Sequence, residues 1–237
     1  MSEIIPDASE AMTSMYYTFA LQRIKQCVRP VVCEAAAIIL REETKLGEPH
    51  VLERYRQGYY PLPGRLDIIR WHNPEVRALL PIGAGFRVEG NAKRLMRKNY
   101  FEVTFDQAFE RVIHACAEPV PGREKIWITP RIIAAYIRIH KAGYAHSFEV
   151  WREGKLVGGG YGVAIGGYFA TESQFYRESH ASKVGFARLN EHLGTRGFVL
   201  HDVQEITNAT LQCGAYEVPR AQFEQLLAQA ITMKVYF

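Results

Sequence analysis

Three strand-like runs lie within about thirty residues of one another, and they restrict the fold more than any other part of the chain. His146 to Trp151 alternates apolar with polar, Leu156 to Ile165 is a glycine-rich apolar run, and Tyr168 to Glu172 follows at once. Only Arg152-Glu-Gly-Lys155 and Gly166-Gly167 separate them. Such short, glycine-bearing connections join antiparallel neighbours, because a parallel crossover needs a dozen residues or more. A helix is predicted next, from Ala181 to Leu193 with Gly194 ending it. The third run ends on a carboxylate, Glu172, set among Phe169, Phe175 and small residues. A carboxylate in that setting is costly unless it is paired or used.

Helical spacing predicts further elements. Residues 11 to 43 read as helix, interrupted by Pro30, and Lys45 to Pro49 reads as a connector. A short helix from Leu52 to Gln57 is closed by Gly58. Tyr59-Tyr-Pro-Leu-Pro-Gly64 reads as a turn-rich aromatic loop, and Leu66 to Trp71 as a strand stopped by His72-Asn-Pro74. Thr104 and Gln107 fit a capping box that opens a helix with the stripe Phe105, Ala108, Phe109, Val112, Ile113, Cys116. Ile126 to Ile128 is an extended entry to a helix capped by Thr129, with Pro130 in its first turn and Gly143 at its end. Phe198 to Asp202 reads as a strand, and Pro219 to Ile231 as a final amphipathic helix. The order is helix, helix, three antiparallel strands, helix, strand, helix.

Composition excludes several classes. Of 237 residues, 48% are hydrophobic and 23% charged, as in ordinary globular domains. No apolar run approaches the ~20 residues of a membrane span, and the first residues lack a basic stretch followed by an apolar one, so neither membrane insertion nor secretion is expected. The four cysteines, Cys27, Cys33, Cys116 and Cys213, lack zinc-ligand spacing, and reduced thiols in a cytoplasmic protein are expected. Gly158-Gly-Gly-Tyr-Gly162 lies inside a strand and lacks the Lys-Ser/Thr ending of a phosphate loop. Glycines there mark either close approach of a ligand or backbone, or a bulge. The net charge of +4 decides little. More telling are Lys93, Arg94, Arg97 and Lys98, which would share one helical face suited to a phosphate backbone or simply to solvent.

From Phe86 to Leu227 the chain resembles the leucyl/phenylalanyl-tRNA–protein transferase family. The resemblance rests on Lys93-Arg94 with Arg97-Lys98, Phe101-Glu-Val-Thr-Phe-Asp-Gln-Ala-Phe109, Trp127-Ile-Thr129, Ala135-Tyr136, and His140-Lys-Ala-Gly-Tyr-Ala-His-Ser-Phe-Glu-Val-Trp151. It continues through Leu156-Val-Gly-Gly159, Glu172-Ser173, Ala181-Ser-Lys183, Asp202 with Gln204, and Glu217-Val-Pro-Arg220. A weaker match precedes it at Tyr55-Arg56, Pro61, Trp71, Pro74 and Arg77. The resemblance implies an α+β acetyltransferase-like domain at residues 76–237 behind a small N-terminal domain at 1–75. It implies transfer of an amino acid from aminoacyl-tRNA to the N-terminal amine of an acceptor protein, which marks that protein for degradation. The aminoacyl ester supplies the activation, so no metal or other cofactor is required.

On this resemblance Glu172 matches the family's essential glutamate and Gln204 its reaction-centre glutamine, with Asp202 beside it. An amide is a poor base, so Gln204 is assigned to positioning. Trp127 and Tyr136 match aromatic positions near the tRNA's terminal adenosine, with core packing the competing role for both. The Lys93, Arg94, Arg97 and Lys98 face would meet acceptor-stem phosphates. Phe169, Phe186 and Leu189 line the aminoacyl pocket. There are departures. Residues 1 to 50 lack the family's glycine-rich word, and Leu62 stands where the family carries tryptophan. Ala209 replaces a frequent histidine. Gly160 stands for a pocket methionine and His201 for a β-branched residue, so the pocket is expected to gain space at Gly160 and a polar edge at His201. The donor is therefore Leu/Phe-like with shifted or broadened selection, unless His201 is only a satisfied core histidine. The expected partners are aminoacyl-tRNA and a protein with a basic N-terminal residue, and a monomer is the default. Two other readings compete: an N-acyltransferase using acyl-CoA, and a non-catalytic module binding tRNA ends or protein N-termini.

Overall fold

The computed structural model describes residues 46–63, 69–119 and 127–237. The helix expected over residues 11 to 43, the first part of the strand expected from Leu66, and Cys27 and Cys33 lie outside them.

The first described helix, α1 (Glu48–Arg56), has Pro49 in its first turn, where a missing N–H costs nothing, so the expected connector is its opening turn. The segment expected as an aromatic loop is instead strand β1 (Tyr60–Pro63), paired antiparallel with β2 (Ile69–His72). Both strands of a two-stranded ribbon are edge strands, which is where Pro61 and Pro63 are tolerated.

A seven-stranded sheet follows, in the order β4-β5-β6-β7-β8-β3-β9. Its strands are β3 (Val76–Leu80), β4 (Glu102–Phe105), β5 (Ala145–Arg152), β6 (Lys155–Ile165), β7 (Tyr168–Tyr176), β8 (Leu200–Gln204) and β9 (Tyr216–Pro219). All neighbours are antiparallel except β7 and β8. The β5–β6–β7 meander is the one expected. Its first turn has Glu153 at φ 51° and Gly154 at φ 73°, the left-handed pair that matches strand twist. Strands β3, β4 and β9 are additional to the expected order.

Helices cover both faces. One face carries α3 (Phe109–Cys116), α4 (Pro130–Lys141) and α7 (Arg220–Ala230) together with α1. In α4, Ile132, Ala135, Tyr136 and Ile139 fall on one stripe and are buried. The other face carries α2 (Gly90–Arg97) and α5 (Ala181–Arg196) against Phe148, Val150 and Phe169. Helix α5 runs past Gly194 and ends at Gly197, φ 89°. A one-turn helix, α6 (Asn208–Gln212), precedes β9. Phe237 stacks on Phe169 and His146 and fastens the last segment to this second face. A mixed sheet with one parallel pair and helices on both sides is the α+β, acetyltransferase-like layout expected.

The helix expected from Thr104 starts later, at Phe109, because Thr104 belongs to β4. Its N-terminus is served by a residue from another strand. The fully buried Glu149 of β5 accepts from the backbone N–H of Gln107 (3.4 Å) and Ala108 (3.3 Å), from Thr104 Oγ1 (2.6 Å) and from Ser147 Oγ (2.5 Å). One carboxylate thus ties β4, β5 and α3 together, at the positive end of the helix where an anion belongs. Glu149→Ala strands those donors, and we expect it to cost about 3 kcal/mol of unfolding free energy. Urea denaturation measures this, and an unchanged midpoint would contradict it.

Candidate active site

The parallel pairing of β7 with β8 stops at Ala170↔Asp202. Each strand then carries an irregularity at its far end. Tyr161 pairs with Ser173 and Gly162 with Thr171, so Glu172 is the extra residue of a bulge in β7. Ala78 pairs with Gln204 and Leu79 with Asp202, so Val203 is extra in β8. Bulges bend a strand and re-aim its side chains. The effect is visible in β7. Phe169 packs on the α5 face and Phe175, six residues on, packs on the α4 face, although an unbroken strand would put both on one side.

Glu172 and Gln204 face each other where the strands part. Gln204 Nε2 donates to Glu172 Oε1 at 2.9 Å. The other carboxyl oxygen lies 3.5 Å from the Tyr136 hydroxyl, which is itself 2.5 Å from that of Tyr55. Burial raises the Glu172 carboxyl from an ordinary 4.5 to about 7, against the lowering effect of hydrogen bonds from Tyr55 and Gln204. Burial first, and the Glu172 charge second, hold both tyrosines well above 10, so they remain donors. Tyr136 is fully buried, so its ring is closed to a stacking base, and its hydroxyl is what reaches the site.

Asp202 lies beneath. Arg77 of β3 donates to both its oxygens, Nε at 2.9 and 3.0 Å and Nη2 at 2.7 Å, and Tyr168 adds a bond at 2.8 Å. Arg77 is 1% exposed and Asp202 0%. The remaining Arg77 nitrogen donates to the Gly58 carbonyl at 3.1 Å, and the guanidinium lies over the Tyr60 and Phe223 rings. Asp202 Oδ1 also accepts from the Gln204 backbone N–H at 2.8 Å. That bond helps hold Gln204 at φ 66°, a left-handed conformation costing roughly 1–2 kcal/mol for a residue with a Cβ. Asp202 thereby fixes the backbone of Gln204.

The opening is a cleft of about 510 Å³, bordered by Tyr60, Leu62, Thr171, Glu172, Gln204 and Glu205 among others. Leu62 forms part of its wall, and Ala209 borders it too. Trp127 does not border it and is half-buried against the α3–α4 core. Lys93, Arg94 and Arg97 on α2 and Lys98 at its C-cap are exposed and make no ion pair among the described residues.

The residues expected to line the aminoacyl pocket gather on the α5 face; Phe169 and Leu189 are packed into the core there, while Phe186 borders a cleft of about 320 Å³. Phe169, Phe186 and Leu189 are buried. The space expected at Gly160 is absent. A Cβ there would lie 2.7 Å from the Phe148 ring and 2.7 Å from the Ser173 carbonyl, so Phe148 fills the volume. His201 is buried between Phe169 and Phe186, its Nε2 2.8 Å from Thr171 Oγ1, and burial lowers its pKa to about 4.

The sequence pattern of the family described as leucyl/phenylalanyl-tRNA protein transferase matches residues 79–228, which contain Glu172, Asp202 and Gln204. The chain belongs to that family. It is 45% identical over 182 residues to the leucyl/phenylalanyl-tRNA–protein transferase of Salinibacter ruber, covering 76% of this chain and 78% of that one. It is 40% identical over 188 residues to the Chlorobium limicola protein of the same name, covering 79% and 96%. Among solved structures, a GCN5-related N-acetyltransferase from Kribbella flavida superposes with a TM-score of 0.38 at 11% identity, over 62% of this chain and 54% of that one. As a member of the family, the chain is an aminoacyltransferase.

Sequence reasoning singled out Glu172, Gln204 and Asp202, but met Tyr55 and Arg77 only as matched letters and passed over Thr171. An arginine inside the apolar run Val76-Arg-Ala-Leu-Leu80 was the available signal, since a charge there demands a buried partner.

The raised carboxyl has a consequence for stability. Below pH 4.5 the side chain is protonated in both folded and unfolded chains and costs nothing. Between 4.5 and about 7 the unfolded chain ionises first, so stability falls as pH rises. We expect wild type to lose about 3 kcal/mol relative to Glu172→Gln across that window. Parallel denaturant titrations of both proteins at pH 4.5 and 8 measure the gap, and equal pH dependence would refute it.

Proposed function

We propose that the cleft at the β7–β8 split transfers an amino acid from aminoacyl-tRNA to the N-terminal α-amine of an acceptor protein. The observation that carries this reading is the Glu172–Gln204 pair at 2.9 Å across the parting strands, in a chain of this family. The acceptor amine arrives largely as an ammonium, with an ordinary pKa near ~8. A carboxylate that titrates near 7 is matched to take its proton. The freed amine attacks the ester carbonyl carbon, the C–N bond forms and the bond to the ribose oxygen breaks; Glu172 passes the first proton to that leaving oxygen, and the nitrogen's second proton is lost to solvent as the amide forms. Gln204 donates its amide N–H to Glu172 and so turns its own oxygen away, where it can accept from the attacking amine and orient it.

The rest of the surface fits the two substrates. No lysine or arginine borders the cleft among the described residues, whereas Glu205 joins Glu172 there, which suits an acceptor whose first side chain is basic. Leu62 offers an apolar wall for the terminal adenosine in place of a stacking ring. The exposed α2 cations stand to meet acceptor-stem phosphates without reading sequence. The reaction would occur in the cytoplasm, where charged tRNA is made, with the chain acting as a monomer on proteins destined for degradation.

The test is transfer of radiolabelled amino acids from total aminoacyl-tRNA to a peptide beginning with arginine. Label is expected in the peptide. Glu172→Gln should lower the rate by about 10²–10⁴-fold, the usual contribution of a positioned proton acceptor, and Gln204→Ala by about 10²-fold. In wild type the rate should rise with pH through an inflection near 7, absent in Glu172→Gln. Label that neither substitution diminishes would refute the assignment.

A further inference from the structure

Gln204 and Glu205 are consecutive residues, yet both border the catalytic cleft. In an unbroken strand two consecutive side chains point to opposite faces. The left-handed backbone of Gln204, φ 66°, breaks that alternation, and the Glu205 N–H then closes a tight turn onto the Val203 carbonyl at 2.7 Å. A residue other than glycine stays in this conformation only where its surroundings impose it, and such residues gather at functional sites. Here the turn places more than Gln204. It brings a second carboxylate to the opening where Glu172 lies.

The two carboxylates differ in kind. Glu172 is 8% exposed, and its oxygens meet the Gln204 amide and the Tyr136 hydroxyl. Glu205 is exposed and makes no ion pair among the described residues. Its Oε1 accepts from the Tyr60 hydroxyl at 3.3 Å, and its Oε2 has no partner among the described residues. Burial first, and the Glu205 charge second, raise that hydroxyl to about 12, so it stays a donor and leaves the negative charge on Glu205. No lysine or arginine borders the cleft among the described residues. An uncompensated carboxylate on such a wall repels the phosphates of a tRNA end and attracts a cation. Of the two substrates, it is therefore the acceptor that Glu205 suits.

Resting on the transferase reading above, we propose that Glu205 is the residue that selects the acceptor: its carboxylate takes the basic side chain of the acceptor's first residue while Glu172 takes a proton from that residue's α-amine. The turn at Gln204 sets one carboxylate for each of the two positive groups. An acceptor led by a neutral side chain of similar length gives Glu205 no charge-assisted bond in exchange for the water it displaces.

The test uses the full-length chain, total aminoacyl-tRNA and acceptor peptides that differ only in their first residue: arginine, lysine, glutamine or glutamate. Wild type should favour arginine and lysine over glutamine by about tenfold or more in kcat/KM. Glu205→Gln should bring that ratio close to unity by raising the KM for the basic acceptors. Glu205→Lys should lower transfer to the arginine peptide and raise transfer to the glutamate one. Opposite movement of two acceptors distinguishes selection from mere loss of folding, which lowers both. An arginine-to-glutamine ratio that survives Glu205→Gln would overturn the proposal. So would a change confined to the KM for aminoacyl-tRNA, which would put the carboxylate on the tRNA end instead. If wild type labels no peptide, the transferase reading fails separately, and calorimetric binding of the arginine and glutamine peptides then decides the site. Tighter binding of the arginine peptide, lost in Glu205→Gln, sustains it, and equal binding or none overturns it.

Discussion

Arg77 and Asp202 meet with two oxygens and two nitrogens, almost wholly out of water, at the junction of β3 and β8. Neither charge is tolerable there alone, since each would keep the full cost of leaving water. Together they constrain everything around them. Arg77 reaches the Gly58 carbonyl at the end of α1 and lies against Tyr60 of the ribbon and Phe223 of α7. Asp202 accepts from Tyr168 and from the backbone of Gln204. The ion pair therefore joins helix, ribbon and sheet, and it holds the left-handed backbone of Gln204.

The chemistry follows from a sheet that comes apart in a controlled way. Two parallel strands hold together for three pairs and then separate, each with an extra residue on its far end. The extra residue in β7 is the glutamate itself. The bulge turns it toward the α4 face, among the hydroxyls of Tyr55 and Tyr136 and the amide of Gln204. Burial does the electrostatic work there: a carboxyl that would ionise near 4.5 is held to about 7, close to the amine it would have to deprotonate. A salt bridge to Glu172 would have destroyed this match. The nearby arginine is instead committed to Asp202.

How much of this was legible in the sequence depends on whether the signal was local. The β5–β7 meander carries its own turns, and α4 carries its own stripe, proline and closing glycine, so both were readable. Strands β3 and β9 are short and gain their place only by pairing with β8 and with each other, so nothing local announces them. The supposed capping box at Thr104 failed because Glu149, far along the chain, serves that helix instead. Tyr60 to Pro63 looked like a loop because two prolines argue against a central strand, yet an edge ribbon accepts them. At the site, Glu172 and Gln204 were found through resemblance and through the anomaly of a carboxylate among phenylalanines. The closure of Gly160 could not be found that way, because the ring that fills it comes from Phe148, twelve positions away on a neighbouring strand.

The central claim is that Glu172 is a buried carboxyl poised near neutrality, and its own ionisation is the most direct measurement. Carbon-13 labelling of glutamate side chains, with Glu172→Gln to assign the resonance, lets the group be titrated by NMR in the free protein. The account predicts a carboxyl resonance, missing in the variant, that titrates near pH 7. A Glu172 resonance titrating near 4.5, like a solvated glutamate, would contradict it.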